Sequence, residues 1–195
     1  MVKKITYSKI IGLFLNDYSR MVYLREAADE LKKPHQTVRP YIQKLVKKNI
    51  LSEKKHGKFL EYALNFKNGL VYDYLTIAEK EKTQEFIEDN PLASILYEKL
   101  SSFFKDSTFI IFGSSVNGIK KGNDLDLFVT GKNVKEEIKE FEEVYSKKIH
   151  LIHAKTLKGV SLTFIKEIYK KHIILNNTEA VLRFISGLYE SNKLV

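Results

Sequence analysis

The sequence predicts an α+β protein in two parts, and three observations carry that prediction. Apolar residues recur at helical spacing through the first 50 residues, then give way to two short extended runs around Gly57. Further on, the apolar runs "TFIIF" and "LDLFV" flank a Gly-Ser turn, with an amphipathic charged stretch and a third extended run after them. Between the parts, "NFKNGLVYDYLTIAEKEKTQEFIEDN" has helical character and no Gly/Ser-rich linker. The expected division is residues 1–70, a helical connector at 71–90, and a second domain at 91–195.

Composition narrows the class. Hydrophobic residues make up 44% of the 195, enough for a packed core. The chain has no cysteine, which excludes disulfides and thiolate metal sites. No apolar run approaches 18 residues, so no membrane span is expected. "MVKKITYSKIIGLF" reads as an amphipathic helix rather than a signal peptide, because Lys9 interrupts it and no small-residue cleavage site follows. A cytoplasmic protein is the expectation. The net charge of +9 is unevenly placed: residues 1–75 hold 15 Lys and Arg against 7 Asp and Glu, the remainder 18 against 17. A basic segment beside a neutral one fits a polyanion-binding module joined to something else; a lysine-rich solvated surface is the plainer explanation.

Within the basic part, Ile5, Ile10, Ile11, Phe14 and Leu15 share one helical side. "MVYL" is a short extended run, and "LREAADELKK" is a helix with Ala27, Ala28 and Leu31 inward, broken by Pro34. "HQTVRPYIQKLVKKN" is a third helix with Val38, Ile42, Leu45 and Val46 as its buried stripe. "ILSEKKH", Gly57 and "KFLEYALN" then read as strand, turn, strand. Pro40 fits if the third helix starts near Gln36 and keeps it in the first turn; otherwise a slight kink is expected.

Three helices followed by a hairpin resembles the winged helix-turn-helix family across residues 5–66, on the order and length of elements rather than on any one residue. The resemblance implies binding to double-stranded DNA. Gln36, Thr37, Arg39, Gln43, Lys44 and Lys47 would face outward on the third helix, where Arg and Gln suit base edges and Lys suits phosphates. Lys54, Lys55, His56 and Lys58 on the hairpin would reach the flanking backbone.

The second part begins at Asn90-Pro91, a helix start, followed by Leu92, Ile95, Leu96, Leu100 and Phe103 at helical spacing. In "DLDLFV", Asp124 and Asp126 are expected on one face of a strand, Leu125 and Leu127 on the other. Two neighbouring carboxylates repel unless a cation lies between them, and hard oxygen donors select Mg²⁺ or Mn²⁺. The Gly113 backbone can approach a phosphate closely and the Ser114 hydroxyl can donate to it, so a triphosphate is the implied ligand.

"FIIFGSSVNGIKKGNDLDLFV" resembles the signature of the nucleotidyltransferase superfamily that includes DNA polymerase beta: an apolar strand, Gly-Ser, about ten residues, then Asp-apolar-Asp-apolar. The likeness covers roughly residues 93–185 and includes Gly118 and the closing "FIKEIYKKHIILNN". It implies a small mixed sheet flanked by helices and transfer of a nucleotidyl group from an NTP to an acceptor hydroxyl. Gly113, Ser114 and Ser115 would bind the nucleotide, Asp124 and Asp126 the metal, and Lys120 and Lys121 could add phosphate contacts. The family's third carboxylate is replaced by His150, which could ligate a metal, accept a proton, or mark a site that has lost its chemistry. His150 and His153 lie three apart and so face opposite sides. The alternative is a winged-helix regulator or antitoxin-like DNA binder with a degenerate, nucleotide-sensing second domain. The NTP, the acceptor and the DNA site stay open, and a homodimer is compatible with the sequence.

Overall fold

The computed structural model describes residues 4–119 and 122–194; Lys120 and Lys121, expected to contact phosphate, lie outside the described residues. The chain divides into two compact units that meet in sequence at Glu79 and Lys80.

In the first unit, α1 (Tyr7–Gly12) begins at Thr6, whose side chain accepts from the Lys9 amide at 3.2 Å and so satisfies one of the open N–H groups of the first turn. Ile5, Ile10, Ile11, Phe14 and Leu15 are all buried, as their spacing requires. β1 (Val22–Tyr23) leads directly into α2 (Leu24–Glu30), and α3 (His35–Lys47) follows after the break at Pro34. β2 (Leu51–His56) and β3 (Phe59–Leu64) form a hairpin in which His56 pairs with Phe59 across a two-residue turn, Gly57-Lys58. The sheet is antiparallel with order β1-β3-β2.

Two details of α3 differ from the sequence expectation. Val46 is only half-buried, so the inward stripe is Val38, Ile42 and Leu45. The helix starts at His35, which puts Pro40 beyond its first turn. The missing Pro40 N–H leaves the Gln36 carbonyl without that intrahelical donor. Both residues are exposed, so water can serve the carbonyl and the cost is limited.

α4 (Val71–Asp89) contributes to both units along its length. In the first, Val71 and Leu75 are buried, and Lys48 Nζ donates to the Tyr74 hydroxyl at 3.1 Å. In the second, the Thr83 hydroxyl donates to the Ile174 carbonyl at 2.9 Å.

The second unit runs α5 (Pro91–Leu100), β4 (Ser107–Phe112), β5 (Leu125–Gly131), α6 (Lys135–Tyr145), β6 (Ile149–Ala154), α7 (Leu162–Lys170), β7 (His172–Ile174) and α8 (Thr178–Glu190). Its sheet has the order β6-β5-β4-β7. β5 and β6 are parallel, joined by α6 as the crossover that a parallel pair needs; the other pairs are antiparallel. This is a small mixed sheet flanked by helices. Strand alternation sends Leu125, Leu127 and Val129 into one cluster with Leu96, Leu100, Ile138 and Phe141 of α5 and α6. Phe128 points the other way, where its ring lies 5.3 Å from that of Phe164 on α7.

Asn176 fastens the start of β4. Its Oδ1 accepts from the Phe109 amide at 2.8 Å, while Nδ2 donates to the carbonyls of Ser107 at 2.7 Å and Phe104 at 3.1 Å. Asn177 Nδ2 also reaches the Ser107 and Phe104 carbonyls, at 3.1 and 3.4 Å. Asn176→Ala should therefore cost about 1–3 kcal/mol in urea denaturation through the Phe109 amide, which loses its acceptor. In the first unit, the Tyr23 hydroxyl, 2.5 Å away, pulls the Glu61 carboxyl below the usual range, with His56 adding to the effect. A depressed carboxyl contributes stability above its ordinary range and loses it as pH falls through the lowered value. Glu61→Gln should flatten that acid limb in denaturation measured against pH.

Candidate functional site

β4 ends at Phe112 and the chain turns through a short 3₁₀ segment, Gly113–Asn117. Gly113 has φ +63°, a conformation that costs a residue with a side chain about 1–2 kcal/mol. It also makes room: a Cβ on Gly113 would lie 2.9 Å from Asp126 Oδ2. The second aspartate of the motif therefore rests against bare backbone.

Ser115, the third residue of the turn, is buried at 4% exposure. Its Oγ accepts from the Asp126 amide at 3.0 Å and donates to the Asp124 carbonyl at 3.4 Å. The sequence places Ser115 among nucleotide-binding residues; in the structure its hydroxyl holds the backbone of both aspartates. Ser114 is exposed beside it.

Both aspartates were expected inside the strand. β5 starts at Leu125, whose amide donates to the Lys148 carbonyl at 2.9 Å, and Asp124 is an exposed residue just before it. On the other edge of the strand, where pairing with β4 stops at Leu127, Ser115 takes the Asp124 carbonyl and the Asp126 amide instead. Asp126 lies on the Phe128 side of the strand, two residues towards the open end, where its side chain keeps 24% exposure.

The parallel register pairs Asp126 with His150. His150 Nδ1 lies 3.2 Å from Asp126 Oδ1, and the His150 side chain is 60% exposed. A carboxylate accepts and does not donate, so in the neutral ring Nδ1 carries the hydrogen and Nε2 the lone pair. His153 is elsewhere: its Nε2 donates to the Gly131 carbonyl at 2.9 Å.

Three further side chains hold the site, and none stands out in the sequence as doing so. Asn90 marks the start of α5 as expected, but its side chain does not cap that helix. Instead Oδ1 accepts from the Ile119 amide at 3.1 Å and Nδ2 donates to the Phe86 carbonyl at 2.7 Å, anchoring the loop after the turn. The buried Lys147 ammonium donates to the Asn123 carbonyl next to Asp124. Glu142 accepts from the Ile149 amide at 2.6 Å, fixing the start of β6 one residue before His150.

Hard carboxylate oxygens on Asp124 and Asp126 match Mg²⁺ or Mn²⁺ in donor chemistry, and the Gly113 cradle leaves Asp126 Oδ2 uncovered by a side chain at that position. Among the described residues, however, no three His, Asp or Glu side chains form a metal-sized cluster. A cavity of about 120 Å³ is lined by Ser114, Ser115, Asn117, Gly118, Asn123 and Asp124. That is small beside the roughly 300–1,000 Å³ of whole-ligand sites and suits one part of a nucleotide. A hollow of about 1100 Å³ near Thr83, Tyr97 and Arg183 shares no residue with the turn or the aspartates.

In the first unit, Gln36, Thr37, Arg39, Gln43, Lys44 and Lys47 are all exposed on α3, and Lys54, Lys55, His56 and Lys58 on the hairpin.

Residues 93–181 match the family model of the nucleotidyltransferase domain. Neither a curated protein nor a solved structure matches the chain. No described helix is long and apolar enough to cross a membrane.

Ser115→Ala should cost about 1–3 kcal/mol in urea denaturation, because it strands the Asp126 amide, and should weaken Mg²⁺-dependent NTP binding in calorimetry. Gly113→Ala should weaken that binding too, by displacing the Asp126 carboxylate, with the loss of about 1–2 kcal/mol in stability that its φ implies.

Proposed function

We propose that the second unit is a metal-dependent nucleotidyltransferase and that the first is a winged helix-turn-helix that binds double-stranded DNA. The observation that carries the first half is the Asp126 carboxylate seated between the Gly113 backbone and the His150 imidazole, with Ser115 holding the backbone of both aspartates. The family match over residues 93–181 supports nucleotidyl transfer in general.

In this reading Asp124 and Asp126 would hold Mg²⁺ or Mn²⁺, which supplies positive charge against the triphosphate. The Gly113 backbone and the Ser114 hydroxyl position the β- and γ-phosphates. The acceptor oxygen attacks the α-phosphorus, the bond to the bridging oxygen breaks, and pyrophosphate leaves. His150 accepts the acceptor's proton at Nε2, with Nδ1 oriented by Asp126. The imidazole thus takes the proton-accepting part of the work of the family's third carboxylate.

The test is incubation of the full chain with each α-labelled NTP and Mg²⁺ or Mn²⁺, with and without cell extract as a source of acceptor. Label should transfer, Asp126→Asn should abolish transfer, and His150→Ala should lower it by about 10²–10⁴-fold. Transfer that survives Asp126→Asn contradicts the site, and an unchanged rate in His150→Ala contradicts the base.

For the first unit, the order of three helices and a hairpin, the exposed Arg39 and Gln43 on α3, and the hairpin lysines support DNA binding. Arg39→Ala should weaken a preferred site more than random duplex, whereas Lys54→Ala should weaken both alike and lower the salt slope by about one.

A second reading, a DNA-binding regulator with a nucleotide-sensing second unit, is favoured by His150 at the third-carboxylate position. It predicts no transfer in either wild type or His150→Asp, together with a change in DNA affinity on adding Mg²⁺-NTP.

A further inference from the structure

A groove of about 640 Å³ opens in the first unit between α2, the amino end of α3 and the tip of the β2–β3 hairpin. Arg25, Lys33, Arg39 and Lys58 line it against one carboxylate, Asp29. The nearby Glu61 is already engaged by the Tyr23 hydroxyl and by His56. A concave surface with this charge balance complements a polyanion.

At its rim stands Phe59, 68% exposed. A lone exposed apolar residue is ordinary. This one is set apart by its placement: it follows the hairpin turn directly, beside Lys58, and both line the cationic groove. Tyr23 buttresses it edge-to-face, with ring centroids 6.0 Å apart at 78°. That geometry leaves at least one face of the Phe59 ring uncovered by Tyr23.

Inside a duplex each base is covered above and below by its neighbours, so away from the ends an aromatic platform has no base to take. An unpaired base presents a free face, and stacking on an aromatic ring beside phosphate-binding cations is how single strands are held without sequence readout. We propose that this groove seats the single-stranded part of a nucleic acid, with an unpaired base stacked on Phe59 and the backbone on Arg25, Lys33 and Lys58. The inference rests on the nucleic-acid reading of the first unit and adds to it a preference for frayed, overhanging or single-stranded ends.

The experiment is fluorescence anisotropy on the full chain with three labelled probes: an oligothymidine, a blunt duplex, and the same duplex with a single-stranded overhang. The overhang should raise affinity over the blunt duplex. Phe59→Ala should cost about tenfold on the oligothymidine and the overhang and leave the blunt duplex unchanged, while Phe59→Tyr retains binding. Arg25→Ala should lower the single-strand salt slope by about one. The proposal is overturned if Phe59→Ala has no effect, or if it weakens all three probes equally. It is also overturned if polyglutamate displaces the probe as well as unlabelled oligothymidine does, which would assign the groove to an acidic protein segment. If Arg39→Ala weakens duplex binding while Phe59→Ala changes nothing, the groove assignment falls and the duplex reading stands. If no probe binds at low salt, both fall.

Discussion

One hydroxyl organises the second unit's site. The Asp126 amide is the second of β5, on the edge that β4 does not reach, and a partly buried N–H left unpaired there would cost about 1–3 kcal/mol. Ser115 meets that need at 3.0 Å and reaches the Asp124 carbonyl at 3.4 Å as well. A single side chain in the turn after β4 thereby sets the backbone on both sides of Leu125. The loop from Ser115 to Asp124 is closed at its ends by this contact, and Asn90 and Lys147 hold it at Ile119 and Asn123. The exposed Ser114 next door is left available for a ligand.

The same turn explains how a carboxylate is tolerated in a strand of otherwise apolar residues. Leu125, Leu127 and Val129 bury one face of β5 against α5 and α6. On the other face, Phe128 is covered by Phe164, but Asp126 lies beyond that cover and leans on a residue with no side chain. The parallel partner strand then brings His150 to within 3.2 Å. Backbone freedom at Gly113, strand alternation and the β5–β6 register are three independent constraints, and all three place Asp126 where it is.

Much of this is legible in the sequence because the signals are local. Helical spacing marks Ile10, Ile11 and Phe14 or Val38, Ile42 and Leu45 as inward, and the Gly-Ser turn between two apolar runs marks β4 and β5. His150 is singled out by its place in the family pattern, while its parallel pairing with Asp126 is a matter of register that only the structure gives. What stays hidden depends on contacts distant in sequence. Asn90 reads as a helix cap because its neighbour is Pro91, yet its side chain spends itself on Ile119, 29 positions away. Ser115 looks like one more hydroxyl in a phosphate turn until its burial is known. Asp124 alternates correctly for a strand, but pairing with β6 begins only at Leu125, and that end point depends on a strand distant in sequence. Pro40 is the sixth residue of α3, past the first turn that a helix-start argument gives it, and it is tolerated there because the exposed Gln36 carbonyl can bond to water.

The central claim is that the Gly113 turn and the two aspartates form a nucleotide site whose shape Ser115 maintains. Equilibrium dialysis of labelled NTP against the full chain, with Mg²⁺ present or chelated, tests it most directly. Binding should require Mg²⁺, vanish in Asp126→Asn, and weaken in Ser115→Ala under conditions where that variant remains folded. NTP binding of equal strength in wild type and Asp126→Asn, or with Mg²⁺ removed, would contradict it.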